Sequence, residues 1–301
     1  MITILGPTAT GKTTIASHLA ARIDAEIISA DSRQVYRGMN LGSGKDLDEY
    51  FVNGKQIPYH LIDIAEPGYE YNVYEFQRDF RGAYEDISYR GKTCILCGGS
   101  GLYLESVLLG YDLLKVPENP ALRAKFEDAS EDELIKLLRS KGHLHNTSDI
   151  TERDRMIRAI EIRAYYEENP ARIKNHFPAV PSRVFGIYFE RSLLRERITK
   201  RLEARLSSGM LDEVKELLES GLQPGQLTYY GLEYKYLTEH LSGKISYEQM
   251  LARLNTAIHQ FAKRQMTWFR RMQKRGINIQ WVNGLKPLEE KIRYILARIP
   301  E

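Results

Sequence analysis

Cysteine is nearly absent. Cys94 and Cys97 are the only two in 301 residues, too few for a disulfide framework or a four-cysteine zinc site. A charge excess of either sign is missing as well. Against 43 Lys and Arg stand 40 Asp and Glu, a formal balance of +3, so any surface for a polyanion has to be local. No run of 18 apolar residues occurs, which argues against a membrane-spanning helix. Met1-Ile2-Thr3-Ile4-Leu5-Gly6 has no basic stretch leading into an apolar one of leader length, so export is not expected. Fixed-period repeats and low-complexity stretches are also lacking. A soluble protein of a reducing, cytoplasmic compartment remains, and with 43% apolar residues it can bury a large core. The length predicts about two domains, or one large domain with an insertion.

Short, nearly continuous apolar stretches alternate with helical periodicity. Ile2-Thr3-Ile4-Leu5 runs into Gly6-Pro7, and Ile15, Ala16, Leu19 and Ala20 then recur at helical spacing. Residues 25–29 end at Ala30-Asp31-Ser32, and residues 93–97 end at Gly98-Gly99-Ser100-Gly101. Stretches 184–189 and 277–282 read as later strands. The pattern predicts an α/β fold whose parallel sheet is covered by helices on both faces. Between 116 and 182 the texture changes, with Pro117, Pro120, Pro170, Pro178 and Pro181 punctuating charged helices. Ser130-Glu131-Asp132-Glu133 opens a helix over 131–140 that Lys141-Gly142 ends, and Thr151 caps another reaching about Glu168. Residues 116–182 thus read as a helical insertion into a core made of 1–115 and 183–301. The last third is helical: Gly209 and Gly221 bracket 210–220, and Ser246 opens a helix running to Arg275. On that helix Met250, Leu254, Ala257, Phe261 and Trp268 recur as a core stripe.

Gly6-Pro7-Thr8-Ala9-Thr10-Gly11-Lys12-Thr13 fits G-x-x-x-x-G-K-[ST], directly after a strand and directly before a helix. Glycines let the backbone wrap closely around a phosphate with its amides turned inward. Lys12 adds a cation, and the Thr13 hydroxyl can ligate Mg2+. The motif leaves open whether the phosphate belongs to a nucleotide. ATP-hydrolysing proteins with this loop add an acid at the end of another apolar strand, whereas residues 93–97 end in Gly98-Gly99-Ser100. Asp31, closing the second strand, is the best carboxylate near the loop. A metal-holding residue, a general base and a helix N-cap are all open to it. Cys94 and Cys97 fall on opposite sides of their strand and read as core.

With the Gly6–Thr13 loop, Asp31-Ser32-Arg33-Gln34-Val35-Tyr36-Arg37-Gly38-Met39 resembles the tRNA dimethylallyltransferase family. Tyr59-His60-Leu61-Ile62-Asp63-Ile64, Tyr74-Glu75-Phe76-Gln77-Arg78-Asp79 and Gly98-Gly99-Ser100-Gly101-Leu102-Tyr103 follow in family order. So do Arg158-Ala159-Ile160-Glu161 and Ala262-Lys263-Arg264-Gln265-Met266-Thr267-Trp268-Phe269-Arg270. The resemblance covers nearly the whole chain. It implies a P-loop-type sheet with an inserted all-helical subdomain. The implied reaction moves a dimethylallyl group from its diphosphate to N6 of adenosine 37, in tRNAs reading codons that start with U. Pyrophosphate is released. A tRNA anticodon stem-loop and dimethylallyl diphosphate are the implied partners and Mg2+ the cofactor, with a monomer as the default. The chemistry agrees, because an allylic carbon can carry positive charge and the barrier lies largely in stabilising the departing diphosphate.

The same resemblance assigns roles. Gly6, Thr8, Ala9, Thr10, Gly11, Lys12 and Thr13 hold the diphosphate, with Arg197 reaching it. Asp31 accepts the N6 proton, and Lys12 and Ser100 complete the catalytic set, Ser100 standing where the family has threonine. Ser32, Arg33 and Gln34 meet the tRNA alongside Asp31 and Ser100, the Gln34 amide being able to read an adenine edge. The target base has to leave its stack, and RNA loops are held by cations and planar groups. Residues 263–275 carry Lys263, Arg264, Arg270, Arg271, Lys274 and Arg275 without an acid. Lys263, Arg264, Gln265 and Arg270 are the implied contacts there, with Arg123, Arg155 and Arg158 in the insertion. Pairing with acids on neighbouring turns, such as Asp154 and Glu161, is the structural alternative for these arginines. The chain departs from the family at 145–150, at Ala257-Ile258 and at Gly231-Leu232-Glu233-Tyr234-Lys235, which bears on tRNA selectivity. Three other activities compete: an adenylate (cytokinin-type) isopentenyltransferase, a P-loop small-molecule kinase, and an RNA-binding module with a degenerate loop. The helical insertion and the basic run oppose the first, and the missing strand-end acid opposes the second. The intact Gly6, Gly11, Lys12, Thr13 and Asp31 oppose the third.

Overall fold

The computed structural model describes residues 1–140, 153–170 and 177–299. The expected helix stop at Lys141-Gly142, the Thr151 cap and the 145–150 departure lie outside them. The chain forms two compact units, Met1–Leu109 with Ala179–Glu301, and Gly110–Pro178. The second unit starts and ends a few residues earlier than the 116–182 insertion read from the sequence.

In chain order the first unit opens with β1 (Ile2–Leu5), α1 (Lys12–Ile23), β2 (Ala25–Ala30), β3 (Phe51–Val52), β4 (Lys55–Gln56) and β5 (Tyr59–His60). It continues through α2 (Val73–Tyr89), β6 (Thr93–Gly98) and α3 (Gly101–Leu108). The second unit supplies α4 (Pro120–Lys125), α5 (Glu131–Ser140) and α6 (Arg153–Glu168). The first then resumes with β7 (Arg183–Tyr188), α7 (Arg191–Ser207), α8 (Met210–Glu219), α9 (Pro224–Tyr229) and α10 (Leu232–Leu241). It ends with α11 (Tyr247–Lys274), β8 (Ile279–Asn283) and α12 (Leu288–Leu296).

The main sheet is parallel, in the order β5-β2-β6-β1-β7-β8. Every residue of β1 and β2 is buried, as a strand covered on both faces requires. Ile4, Ile27, Ile95 and Phe185 meet α1 and α12 in one core cluster. Leu5, Ile28 and Leu96 alternate with them, are equally buried, and α2 lies against β2 and β6. Register decides where chemistry can occur. Leu5 pairs with Gly98, and Gly98 with Ala30, so β1, β6 and β2 end level, with β6 in the middle. A side chain at Gly98 would strike the Ala30 backbone carbonyl, so the glycine is what allows the strands to finish together. Cys94 and Cys97 are buried on β6, and burial pushes both thiols up to about 12, which leaves them inert. No helix among the described residues is long and apolar enough to cross a membrane.

The helical readings hold for α5 and α8, while α11 corrects the stripe. Its buried residues are Met250, Leu254, Ala257, Ile258, Ala262, Gln265, Phe269 and Met272. Phe261 is 39% exposed and Trp268 half-buried. From Met250 the buried positions advance by 4, 4, 4, 3, 4 and 3 residues, so the apolar face winds slowly round the helix and passes through Ile258 and Ala262 rather than Phe261. In the second unit Leu134 and Leu138 of α5 pack on Met156, Ile157 and Ile160 of α6. Truncation tests the corrected face. Phe269→Ala is expected to lower the unfolding free energy by about 4 kcal/mol and Phe261→Ala by less than about 0.5 kcal/mol, measured by urea denaturation.

A candidate phosphate cradle beside a strand-end carboxylate

The loop leaving β1 turns sharply because Ala9 and Gly11 both take left-handed backbone angles, φ 62° and 71°. Gly6 is equally required: a Cβ there would lie 2.7 Å from the Ile187 carbonyl oxygen. The amide of Thr8 donates to Gln265 Oε1 at 2.9 Å. Among the described residues the amides of Ala9, Thr10, Gly11, Lys12 and Thr13 donate to no protein acceptor. Alternating helical hands with successive unpaired N–H groups form an anion-binding nest, here at the N-terminus of α1, where the helix dipole adds positive potential.

The threonines differ in use. Thr10 Oγ1 donates to the Pro7 carbonyl at 2.8 Å, Thr14 Oγ1 donates to Glu49 Oε1 at 2.9 Å, and Thr8 Oγ1 accepts from Arg201. Thr13 has no side-chain hydrogen bond among the described residues. Lys12 Nζ donates to the Pro7 carbonyl at 3.0 Å. Burial pushes this ammonium down and Arg201 adds to the effect, against the fields of Asp31 and Glu49. Two arginines of α7 meet the loop. Arg197 Nε donates to the Ala9 carbonyl at 2.9 Å, its guanidinium 4.5 Å from the Phe189 ring centre. Arg201 pairs with no carboxylate among the described residues, and burial lowers its pKa. A half-buried guanidinium that feels Asp46, Glu233 and Glu49 only at a distance has charge to offer an anion.

Asp31 follows β2 directly, and its Oδ1 accepts from the Arg33 amide at 3.0 Å. Ser100 follows β6 and β6 adjoins β2, so Ser100 Oγ accepts from the Ser32 amide at 2.9 Å. The level strand ends thus bring together the loop, Asp31, Ser32 and Ser100. Gln34 is used at both ends of its amide: Nε2 donates to the Gly44 carbonyl at 3.1 Å and Oε1 accepts from Ser29 Oγ at 2.9 Å. One hydrogen and one lone pair are left for an adenine edge. Arg33 lies 5.3 Å from the ring centre of Tyr229, beside Tyr36 and Tyr230, which meet edge to face at 4.6 Å.

The chain between Gly38 and Asp46 is pinned by charge. Glu213 of α8 accepts from the amides of Asn40, Leu41 and Gly42 at 2.8, 2.7 and 3.0 Å, and from the Tyr234 hydroxyl at 2.8 Å. Lys45, its side chain fully buried, pairs with Asp63. Arg205 holds both oxygens of Asp46, at 2.9 and 2.8 Å. Sequence reading missed Arg201, Glu49, Glu213 and Glu233. Arg197, Arg201 and Arg205 recur every fourth residue, a signal that was available. The three glutamates carry no motif. Burial raises the pKa of Glu49 and of Glu233, the latter in the fields of Arg201, Arg205 and Asp31.

The residues assigned to RNA divide. Lys263, Arg264 and Arg270 are exposed on α11, with Arg264 5.9 Å from the Phe261 ring centre. Gln265 is 7% exposed and turned inward, its Nε2 donating to the Gly99 carbonyl at 2.9 Å. Arg271 and Arg275 pair with Glu105, whose side chain is fully buried, at 2.7 and 2.8 Å. In the second unit Arg123 and Arg158 converge on the fully buried side chain of Glu161, at 2.8 and 2.9 Å. Arg155 is exposed on α6.

The chain is similar to known proteins in sequence and fold. The IPP transferase family model matches residues 34–272, and an isopentenyl transferase model matches residues 1–60. The tRNA dimethylallyltransferase 2 of Bacteroides fragilis is 56% identical over 301 residues, covering all of this chain and 98% of that one. That of Phocaeicola vulgatus is 56% identical over 98% of this chain and 96% of its own. Among solved structures, the tRNA delta(2)-isopentenylpyrophosphate transferase of Staphylococcus epidermidis superposes with a TM-score of 0.69. It is 31% identical over 99% of this chain and 97% of that one. A eukaryotic dimethylallyltransferase acting on tRNA shares the fold at a TM-score of 0.78 and 21% identity.

The unpaired guanidinium gives a clean test of the cradle. Arg201→Gln is expected to weaken inorganic pyrophosphate binding about a hundredfold by calorimetry, since it removes a desolvated charge from an anion site. Thermal stability without pyrophosphate is expected to stay level or rise.

Proposed function

We infer the reaction from one premise, that the chain belongs to the IPP transferase family. It is a tRNA dimethylallyltransferase. The donor is dimethylallyl diphosphate, and the acceptor is N6 of adenosine 37 in the anticodon stem-loop of tRNAs that read codons beginning with U. One observation carries the reading: five successive amides, unpaired among the described residues, lie beside Lys12, Arg197 and Arg201, at the strand ends that also present Asp31.

The diphosphate sits in the nest of Ala9–Thr13 amides, with Lys12 and the α7 arginines on its oxygens. The C–O bond to the allylic carbon breaks as the N6–C bond forms. Negative charge then grows on the diphosphate, where the fixed positive potential is greatest. Asp31 takes the N6 proton, and Ser100, tied to the Ser32 amide, orients the base beside it. No nucleoside triphosphate is needed, because the loop stabilises a leaving group rather than a transferred phosphoryl. Mg2+ fits the donor set. Thr13 offers a hard hydroxyl oxygen without a protein partner among the described residues, and this ion takes few protein ligands, completing its shell with phosphate oxygens and water. When bound, it neutralises charge on the diphosphate. Lys263, Arg264 and Arg270 contact the tRNA backbone, as the acid-free stretch 249–274 of α11 supports. A free adenine nucleotide as acceptor would use no such stretch. All residues of the cradle come from one chain, so a monomer suffices.

Asp31→Ala is expected to reduce prenyl transfer at least about a thousandfold while changing tRNA affinity less than about threefold, read from single-turnover transfer of labelled dimethylallyl and from filter binding. Turnover within tenfold of the parent refutes the base assignment. Lys263→Ala with Arg264→Ala is expected to weaken tRNA binding about tenfold and to flatten its salt dependence. Pyrophosphate binding is expected to stay the same.

A further inference from the structure

We propose that Glu49 is a second protein oxygen ligand, beside Thr13, for the divalent cation that enters with the donor's diphosphate. The proposal rests on the reading of the loop as a diphosphate site. Glu49 lies on the short 3₁₀ turn Leu47–Tyr50, which packs on α1. The Thr14 hydroxyl donates to its Oε1 at 2.9 Å and so fixes the carboxylate against the first turn of α1, next in sequence to Thr13. Glu49 is half-buried. Among the described residues no Lys, Arg or His stands within ion-pair distance of it. Its acidic neighbours are provided for, Asp46 by Arg205 and Asp48 by exposure to water. Glu49 thus lies in the fields of Lys12 and Arg201 without an ion pair among the described residues. Of the cradle's acids, it is the one held against the first turn of α1.

Filling the cradle with a diphosphate places more negative charge close to this carboxylate. In a half-buried site two such groups repel more strongly than in water. A hard divalent cation between them turns the repulsion into a shared ligation, and Mg2+ is held in this way by one or two protein oxygens together with substrate phosphates. No group of three or more metal-capable His, Cys, Asp or Glu exists among the described residues. The cation site is therefore one that the substrate completes, and Glu49 makes diphosphate binding conditional on the metal.

Calorimetry of inorganic pyrophosphate binding to the full chain, with and without Mg2+, tests this directly. For the parent, Mg2+ is expected to strengthen binding at least about a hundredfold. In Glu49→Gln, which keeps an acceptor for Thr14, the enhancement is expected to fall below about tenfold, with metal-free binding as tight as the parent's or tighter. Thr14→Val, which keeps the carboxylate and removes only its anchor, is expected to retain most of the enhancement. Mn2+ provides a second readout, its electron paramagnetic spectrum in the presence of pyrophosphate differing between the parent and Glu49→Gln. An undiminished Mg2+ enhancement in Glu49→Gln overturns the proposal, and so does an equal loss in Thr14→Val. A parent that binds no pyrophosphate under either condition overturns the diphosphate reading instead, so the two failures are distinguishable.

Discussion

Backbone N–H groups without acceptors are the constraint to which the rest of this molecule answers. A donor shut off from water and left unpaired costs about 1–3 kcal/mol, and the loop from Ala9 to Thr13, buried or half-buried along its length, has five in succession that meet no acceptor among the described residues. Left to itself, such a loop would collapse onto the nearest carbonyls. It is held open from three sides: by the close approach of Gly6 to β7, by Gln265 accepting from the Thr8 amide, and by Arg197 fastened to the Ala9 carbonyl. Lys12 and Arg201 add two desolvated cations to the same place. Each of these features is unfavourable alone, and together they describe one anion.

The acid opposite this cradle is positioned by a different device. Residues 34–37 pair through their backbone with 63–65, but from Gly38 to Asp46 the chain has neither strand nor helix, so its polar groups lack the partners that regular structure provides. Charged side chains take over. Glu213 serves three consecutive amides, Lys45 is buried against Asp63 and the Tyr36 carbonyl, and Arg205 grips Asp46. Gln34 carries this rigidity back to β2, since its amide joins the Gly44 carbonyl to Ser29. Removing one partner from such a set leaves the other buried and unpaired, which is why ionic staples fix geometry more surely than they add stability.

Local patterns made half of the site readable. The P-loop is contiguous, its flanking strand and helix follow from apolar spacing, and Asp31 is visible as the residue that ends a strand. Level strand ends, by contrast, depend on register, which no single segment encodes. Arg201 and Glu49 join the cradle only because α7 and the turn Leu47–Tyr50 fold against α1, contacts between residues far apart in the chain. Glu213 was hidden for a further reason, since a glutamate in the first turn of a helix looks like one placed for the helix dipole. Trp268 shows periodicity overreaching: its ring covers Gly101, where any side chain would strike it, yet Phe269 takes the core position.

Charge was the least legible quantity, because the sequence counts cations and the fold decides which are free to act. The basic run 263–275 is not one surface. Arg271 and Arg275 neutralise the buried Glu105, leaving Lys263, Arg264, Arg270 and Lys274 exposed on α11. In the second unit Arg123 and Arg158 are committed to Glu161 and Arg153 to the carbonyls of Phe126 and Glu127. Cations already paired inside the protein release no counter-ions from a nucleic acid, so affinity and its salt dependence follow the exposed residues rather than the arginine count. That is how a chain with a balance of only +3 can still hold a polyanion. Its cations are unevenly placed: residues 249–274 of α11 carry no acid, so Lys263, Arg264, Arg270 and Lys274 stand exposed together without a carboxylate on the same helix stretch.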